Sequence, residues 1–253
     1  MKKVTRQITA LILGLALAAG LFVAFPGSVQ AAAKKKTVYV IDRIDSKVQD
    51  EDLARPEKTK ATFQYNANGL LKQYGQNGEV IGKFSFDGKG RYKALKVDSK
   101  DTYKYDKKGR ITKFTYGNVT YAVKYSGGRL KSIGGKKVTY DKKGRVTKIW
   151  SLGIDGWNQY KYGSKGDLSK YIFESEDDSV ESSTDTFKFK YKNGSAASVV
   201  MTSSDGTTTT AAFHYKKVRV PADRVDQVKA QQSWIKNNFY TERLILLPVR
   251  AQV

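Results

Sequence analysis

Tyr103-Lys104-Tyr105-Asp106-Lys107-Lys108-Gly109-Arg110-Ile111-Thr112-Lys113 is a whole hairpin written in local chemistry. Val138-Thr139-Tyr140-Asp141-Lys142-Lys143-Gly144-Arg145-Val146-Thr147-Lys148 writes it again. Residues two apart in an extended chain share a face, so Tyr103 and Tyr105 point the same way, as do Val138 and Tyr140. Aspartate opens a turn by accepting bonds from nearby backbone amides, and glycine takes the left-handed position that closes it. Asp106 to Gly109 and Asp141 to Gly144 therefore predict type I turns with a glycine bulge, each reversing the chain into the next strand.

The same order recurs in looser copies. Gly69, Gly90, Gly109, Gly128, Gly144, Gly166 and Gly194 each follow an aromatic by three or four residues: Tyr65, Phe86, Tyr105, Tyr125, Tyr140, Tyr162 and Tyr191. Between these hairpins lies a second set of turn signals, at Asn77-Gly78, Gly117-Asn118, Gly134-Gly135, Asp155-Gly156 and Asp205-Gly206. Turns at alternate ends of short strands make an antiparallel meander. The expected fold class is all-β: repeated hairpins in one twisted or curled sheet, with a C-terminal helix and a terminal strand. The helix is expected over 222–236, where Ala222, Val225, Val228 and Ile235 fall near one face. It would cover part of an aromatic sheet face too large to leave in water. The terminal strand is expected from Phe239 to Leu247.

The Tyr-Asp-Lys-Lys-Gly-Arg order resembles the YD (RHS-type) repeat of bacterial secreted and surface proteins. The match is strong at 103–113 and 138–148, fair at 84–93 and 160–170, and degenerate at 63–72, 123–131 and 189–196. The resemblance implies a β-repeat scaffold and supplies no catalytic residues.

The chain opens with Lys2, Lys3 and Arg6, then an apolar run from Ile8 to Phe25, then small residues to Ala33. That order predicts a secretory signal peptide over 1–33, cleaved after Ala31 or Ala33; the alternative is an uncleaved membrane anchor. The remainder divides into a leading strand and loop (34–60), the hairpin repeats (61–216), and the helix and strand packing on the sheet (217–253). There is no cysteine, which excludes disulfides and thiolate chemistry.

Lys and Arg total 46 against 24 Asp and Glu, so loss of the three basic leader residues leaves 43 against 24, a net +19. Such an excess attracts polyanions. The turn cations Lys107, Lys108, Arg110, Lys136, Lys137, Lys142, Lys143 and Arg145 are the candidate polyanion-binding residues, expected to share one rim. Alternatively they keep the protein soluble and blunt strand edges. Trp150, Trp157 and Tyr160 are candidate aromatic contacts for a sugar or base around the turn 151–159; the competing reading places alternate aromatics in the sheet core. The acidic stretch Glu174, Glu176, Asp177, Asp178, Glu181 and Asp185 is either a solvated loop or a calcium site. His214 is the one histidine and is expected on the solvent face, so no catalytic, metal or cofactor site is assigned.

These features lead to one expected function: an exported, non-enzymatic β-repeat protein that binds an anionic or carbohydrate polymer at the bacterial cell surface. A toxin-linked or protein-partner module and a glycan-active enzyme are the alternatives. Export argues against nucleic acid as the partner.

Overall fold

The computed structural model describes residues 34–50, 53–97, 100–152 and 155–237. The expected signal peptide, both cleavage positions and the expected terminal strand lie outside the described residues. The chain forms a 17-stranded antiparallel sheet and a C-terminal helix. The first nine strands are β1 (Lys35–Gln49), β2 (Glu57–Tyr65), β3 (Leu71–Gln76), β4 (Glu79–Phe86), β5 (Tyr92–Lys96), β6 (Lys100–Tyr105), β7 (Ile111–Tyr116), β8 (Val119–Ser126) and β9 (Arg129–Ile133). The others are β10 (Lys136–Lys137), β11 (Thr139–Tyr140), β12 (Val146–Trp150), β13 (Gly156–Tyr162), β14 (Leu168–Ser175), β15 (Ser183–Lys192), β16 (Ser195–Ser203) and β17 (Thr208–Pro221). A single 3-10 turn then leads into α1 (Val225–Asn237).

The turns form as their chemistry demands. In the clearest copy Gly109 N donates to Asp106 O at 3.0 Å and Asp106 N donates to Arg110 O at 2.8 Å. The register slips by one residue between Lys104 and Tyr105, which is the glycine bulge. All seven repeat glycines have φ between 72° and 84°. Gly69 is constrained twice, because a Cβ there would also lie 2.5 Å from the Val220 side chain.

Each Asp-to-Arg turn carries a clamp. Arg110 Nε donates to Asp106 Oδ2 at 2.8 Å and Arg110 N donates to Oδ1 at 2.9 Å. The same bonds link Arg91 to Asp87 and Arg145 to Asp141. Burial works upward on these carboxyls, but the arginine amides and guanidinium groups outweigh it and hold all three below the usual range. The clamped guanidinium then lies over the tyrosine of the next repeat: Arg91 over Tyr105 (4.2 Å), Arg110 over Tyr125 (5.1 Å), Arg145 over Tyr162 (4.4 Å). Repeat tyrosines also donate to the strand leaving an earlier turn. Tyr140 Oη reaches Leu130 O (2.6 Å) and Tyr162 Oη reaches Val146 O (2.7 Å). Each such bond is worth about 1 kcal/mol net, and repetition makes a rim ladder that joins hairpin to hairpin.

The sheet closes on itself. Neighbouring strands pair in sequence from β1 to β9, β9 pairs with β10, and β10 continues through Val138 into β11, which pairs with β12. At the end β17 pairs along β1 from Lys35–Pro221 to Gln49–Thr208. β1 is thus the closing strand, paired with β2 on its other edge over Arg43 to Val48. Within the expected strand and loop of 34–60, β1 runs to Gln49 and β2 already begins at Glu57, and β17 carries the sheet to Pro221, past the expected boundary at 216.

Round rings of this many strands enclose a channel. Here the inward residues form one large core that includes Ile44, Leu71, Tyr92, Phe114, Leu130, Ile149, Tyr171 and Phe187, together with Trp234 and Ile235 of α1, and a second, small cluster joins Val228 of α1 to Val38, Val40 and Val220. Helix α1 crosses at the repeat-turn end. Gln231 Oε1 accepts from Leu71 N (2.8 Å) and from Tyr92 Oη (2.7 Å), and its Nε2 donates to Gly69 O (3.1 Å). Asn237 Oδ1 accepts from Leu168 N on β14 (3.3 Å), and Lys236 pairs with Asp167. Six residues of helix advance roughly 9 Å, so opposite sides of the ring stand close enough here for one helix to join them. The helix covers the core as expected, but by crossing a mouth of the ring rather than lying on an open sheet.

Candidate functional site

The closed sheet has a filled apolar interior and a basic exterior. Lysines alternate with inward aromatics in Tyr103-Lys104-Tyr105, Tyr160-Lys161-Tyr162 and Phe187-Lys188-Phe189-Lys190-Tyr191, and the four lysines are exposed. Pairing sets some outward lysines directly opposite others, although Lys188 and Lys190 face Val200 and Ser198. Lys83 faces Lys96, Lys96 faces Lys100, Lys104 faces Lys113 and Lys161 faces Lys170. Like charges opposite each other on adjacent strands destabilise a sheet. The sequence marks Lys104 and Lys161 as outward, each between two inward aromatics, but only pairing shows which lysines face one another. A barrel that spans a membrane turns an apolar band outward and a polar face inward. This sheet has the reverse polarity, and no helix of the described residues is long and apolar enough to cross a membrane.

The predicted turn cations do not form one set. Lys107, Lys108, Lys142 and Lys143 are exposed at the repeat-turn rim, as expected. Lys136 and Lys137 follow the Gly134-Gly135 turn at the opposite rim, because β9 runs from one end of the sheet to the other between them. Arg110 and Arg145 are engaged rather than open: each pairs with the aspartate of its turn and lies over a tyrosine, and the Arg145 side chain is only 15% exposed. Their role is to clamp the turns.

The predicted aromatic cluster also splits. Tyr160 is 2% exposed and belongs to the core, its ring tilted against that of Tyr171. Trp150 and Trp157 are half-buried cross-strand partners on the outer face of β12 and β13, with Trp157 in a strand rather than a turn. Their rings meet edge to face, with centroids 5.0 Å apart and planes at 86°. Polar groups surround them. Lys136 Nζ stands 3.6 Å from the Trp150 ring centre and Lys148 Nζ 4.9 Å from that of Trp157. Glu174 Oε2 accepts from Lys148 Nζ (3.1 Å) and Gln159 Nε2 (2.6 Å), and Glu176 Oε1 accepts from Trp157 Nε1 (2.7 Å). The Lys148 ammonium foremost, with the Gln159 amide, holds the Glu174 carboxyl below its usual range.

The acidic stretch is dispersed. Glu174 and Glu176 serve the tryptophan cluster, Asp177 bonds Ser179, and Asp185 is fully buried in β15. No group of three or more His, Cys, Asp or Glu among the described residues is placed to hold a metal ion. Burial pushes the Asp185 carboxyl up to about 6; the Ser203 hydroxyl works against this and Asp205 adds to it. His214 lies on the outer face, its Nε2 2.8 Å from Asp45 Oδ2, with the Arg43 guanidinium beside the ring.

No protein-family model and no curated protein matches the chain. Among solved structures it is similar to a porin-like protein from Bacteroides uniformis, at 14% identity and a TM-score of 0.45, covering 70% of this chain and 98% of that one. It is also similar to the Photorhabdus luminescens Tc holotoxin pore structure, at 12% identity and a TM-score of 0.25 over 56% of this chain. The TcdB2-TccC3-Cdc42 structure follows at 11% identity and a TM-score of 0.28 over 65%. The match spans 12% of each of these two toxin chains.

Proposed function

We propose that this is an exported, non-enzymatic β-repeat protein that binds an anionic polymer at the bacterial cell surface. The observation that carries the reading is the set of outward lysines held opposite one another on neighbouring strands. Unligated, each such pair is a repulsion built into the sheet; a polymer with regularly spaced negative groups relieves it. The closed ring provides a rigid cylinder of lysine rows, and the filled interior leaves the outer face as the working surface. The leader-like N-terminus and the resemblance to YD repeats support an exported setting.

The test is retention on polyphosphate and on purified anionic cell-wall polymer as salt is raised. Affinity should fall steeply with salt, since exposed charges are screened over about 8 Å at physiological ionic strength. Replacing Lys104, Lys113, Lys161 and Lys170 by Gln should weaken binding and flatten the salt dependence, with the Tm unchanged or higher. Unaltered retention by that variant would refute the proposal and leave the lysines a role in solubility.

A further inference from the structure

The tryptophan cluster differs from the rest of the outer face. Lys136 and Lys148 are matched there by Glu174 and Glu176, so local charge is balanced, whereas the lysine pairs have lysines opposite one another. The two indoles meet nearly at right angles and form a corner on two rigid strands. Around that corner stand donors (Lys136, Lys148, Gln159) and acceptors (Glu174, Glu176).

We propose that the Trp150–Trp157 corner is a subsite for a neutral pyranose unit. A pyranose has an apolar C–H face that packs on an aromatic ring and an equatorial fringe of hydroxyls that both donate and accept. The corner supplies the ring, and the fringe meets carboxylates, an amide and ammonium groups at its edge. A phosphate would meet Glu174 and Glu176, and a cation would meet Lys136 and Lys148; an uncharged ligand meets no such opposition. Lys136 and Lys148 lie over the ring faces, but a cation over a ring at the surface is weakly held and the lysine stems are flexible enough to swing aside. This deepens the polymer-binding reading and rests on it for the choice of a glycan-bearing polymer: the lysine rows hold charge, and the corner reads a sugar.

Tryptophan fluorescence tests this directly, because the third tryptophan, Trp234, is 4% exposed in the core. The full chain is titrated with cellotetraose, N-acetylchitotetraose and maltotetraose, which are neutral, and with polyphosphate, which has no sugar. At least one tetrasaccharide should shift the emission at concentrations up to about 10 mM, with little change between about 0.05 and 0.5 M salt. Trp157→Ala and Glu174→Gln should each weaken that binding about tenfold or more and leave polyphosphate affinity within about twofold. If Trp157→Ala fails to fold by circular dichroism, Glu176→Gln and Gln159→Ala carry the test. No emission change with any of the three sugars overturns the inference, as does a Trp157→Ala variant that loses polyphosphate and sugar alike. Sugar failure with polyphosphate binding intact removes the subsite alone; the opposite pattern removes the polyanion reading alone.

Discussion

Asp185 is a carboxyl with no solvent exposure, held by one hydroxyl, with Oδ2 buried and unpartnered. Burial foremost raises it from 3.8 to about 6. In the unfolded chain it ionises in the usual range. Between the two values the unfolded chain has released the proton and the folded chain has not, so raising the pH favours unfolding. The contribution is most favourable to the fold below about 3.8, declines as pH rises toward 6, and is flat above that. A shift of about two pH units at 1.36 kcal/mol each corresponds to about 3 kcal/mol withheld from the fold at pH 7. Asp185→Asn should recover much of it, about 1–3 kcal/mol after allowing for a buried amide that needs a partner. For a domain of this size that raises Tm by roughly 2–10 °C. Calorimetry of wild type and variant across pH 3.5 to 7 checks the claim, and subtraction cancels titrations elsewhere in the molecule. The curves should nearly meet at the acid end and diverge toward neutrality. Parallel curves, or a variant less stable at pH 7, would refute the burial argument.

Two further substitutions probe the fold. Gly109 has φ +79°, so Gly109→Val should cost about 1–3 kcal/mol of unfolding free energy in a denaturant titration, against almost nothing for the exposed, ordinary-φ Lys108→Val. Gln231→Leu leaves the Leu71 amide, the Gly69 carbonyl and the Tyr92 hydroxyl without this buried partner. It should cost about 2–4 kcal/mol, and hydrogen exchange at Leu71 should accelerate more than at Leu130.

The hairpins were legible because their causes are local. An aspartate, two polar residues and a glycine set a turn whatever lies elsewhere, and every repeat glycine holds the left-handed conformation its turn requires. Even the helix could be read from apolar positions at helical spacing, although it begins at Val225 and Ala222 lies in the 3-10 turn before it. The candidate site was legible only in part. Trp150 and Trp157 could be singled out as residues, but Tyr160 sits three positions beyond Trp157 and a strand's alternation sends it inward. Arg110 and Arg145 looked like open cations because nothing in a sequence shows a guanidinium lying on the ring of a later repeat.

What the amino-acid order determined by itself was the hairpin unit, its direction of repetition and an excess of positive charge. Tertiary structure alone decided that the sheet closes and where the charge goes. Closure depends on β1 pairing with β17, strands from the two ends of the described chain that no turn joins, so no local motif records it. The lysine rows and the tryptophan corner depend on register, and register emerges only when strands pair and one residue of slip would turn each side chain to the other face.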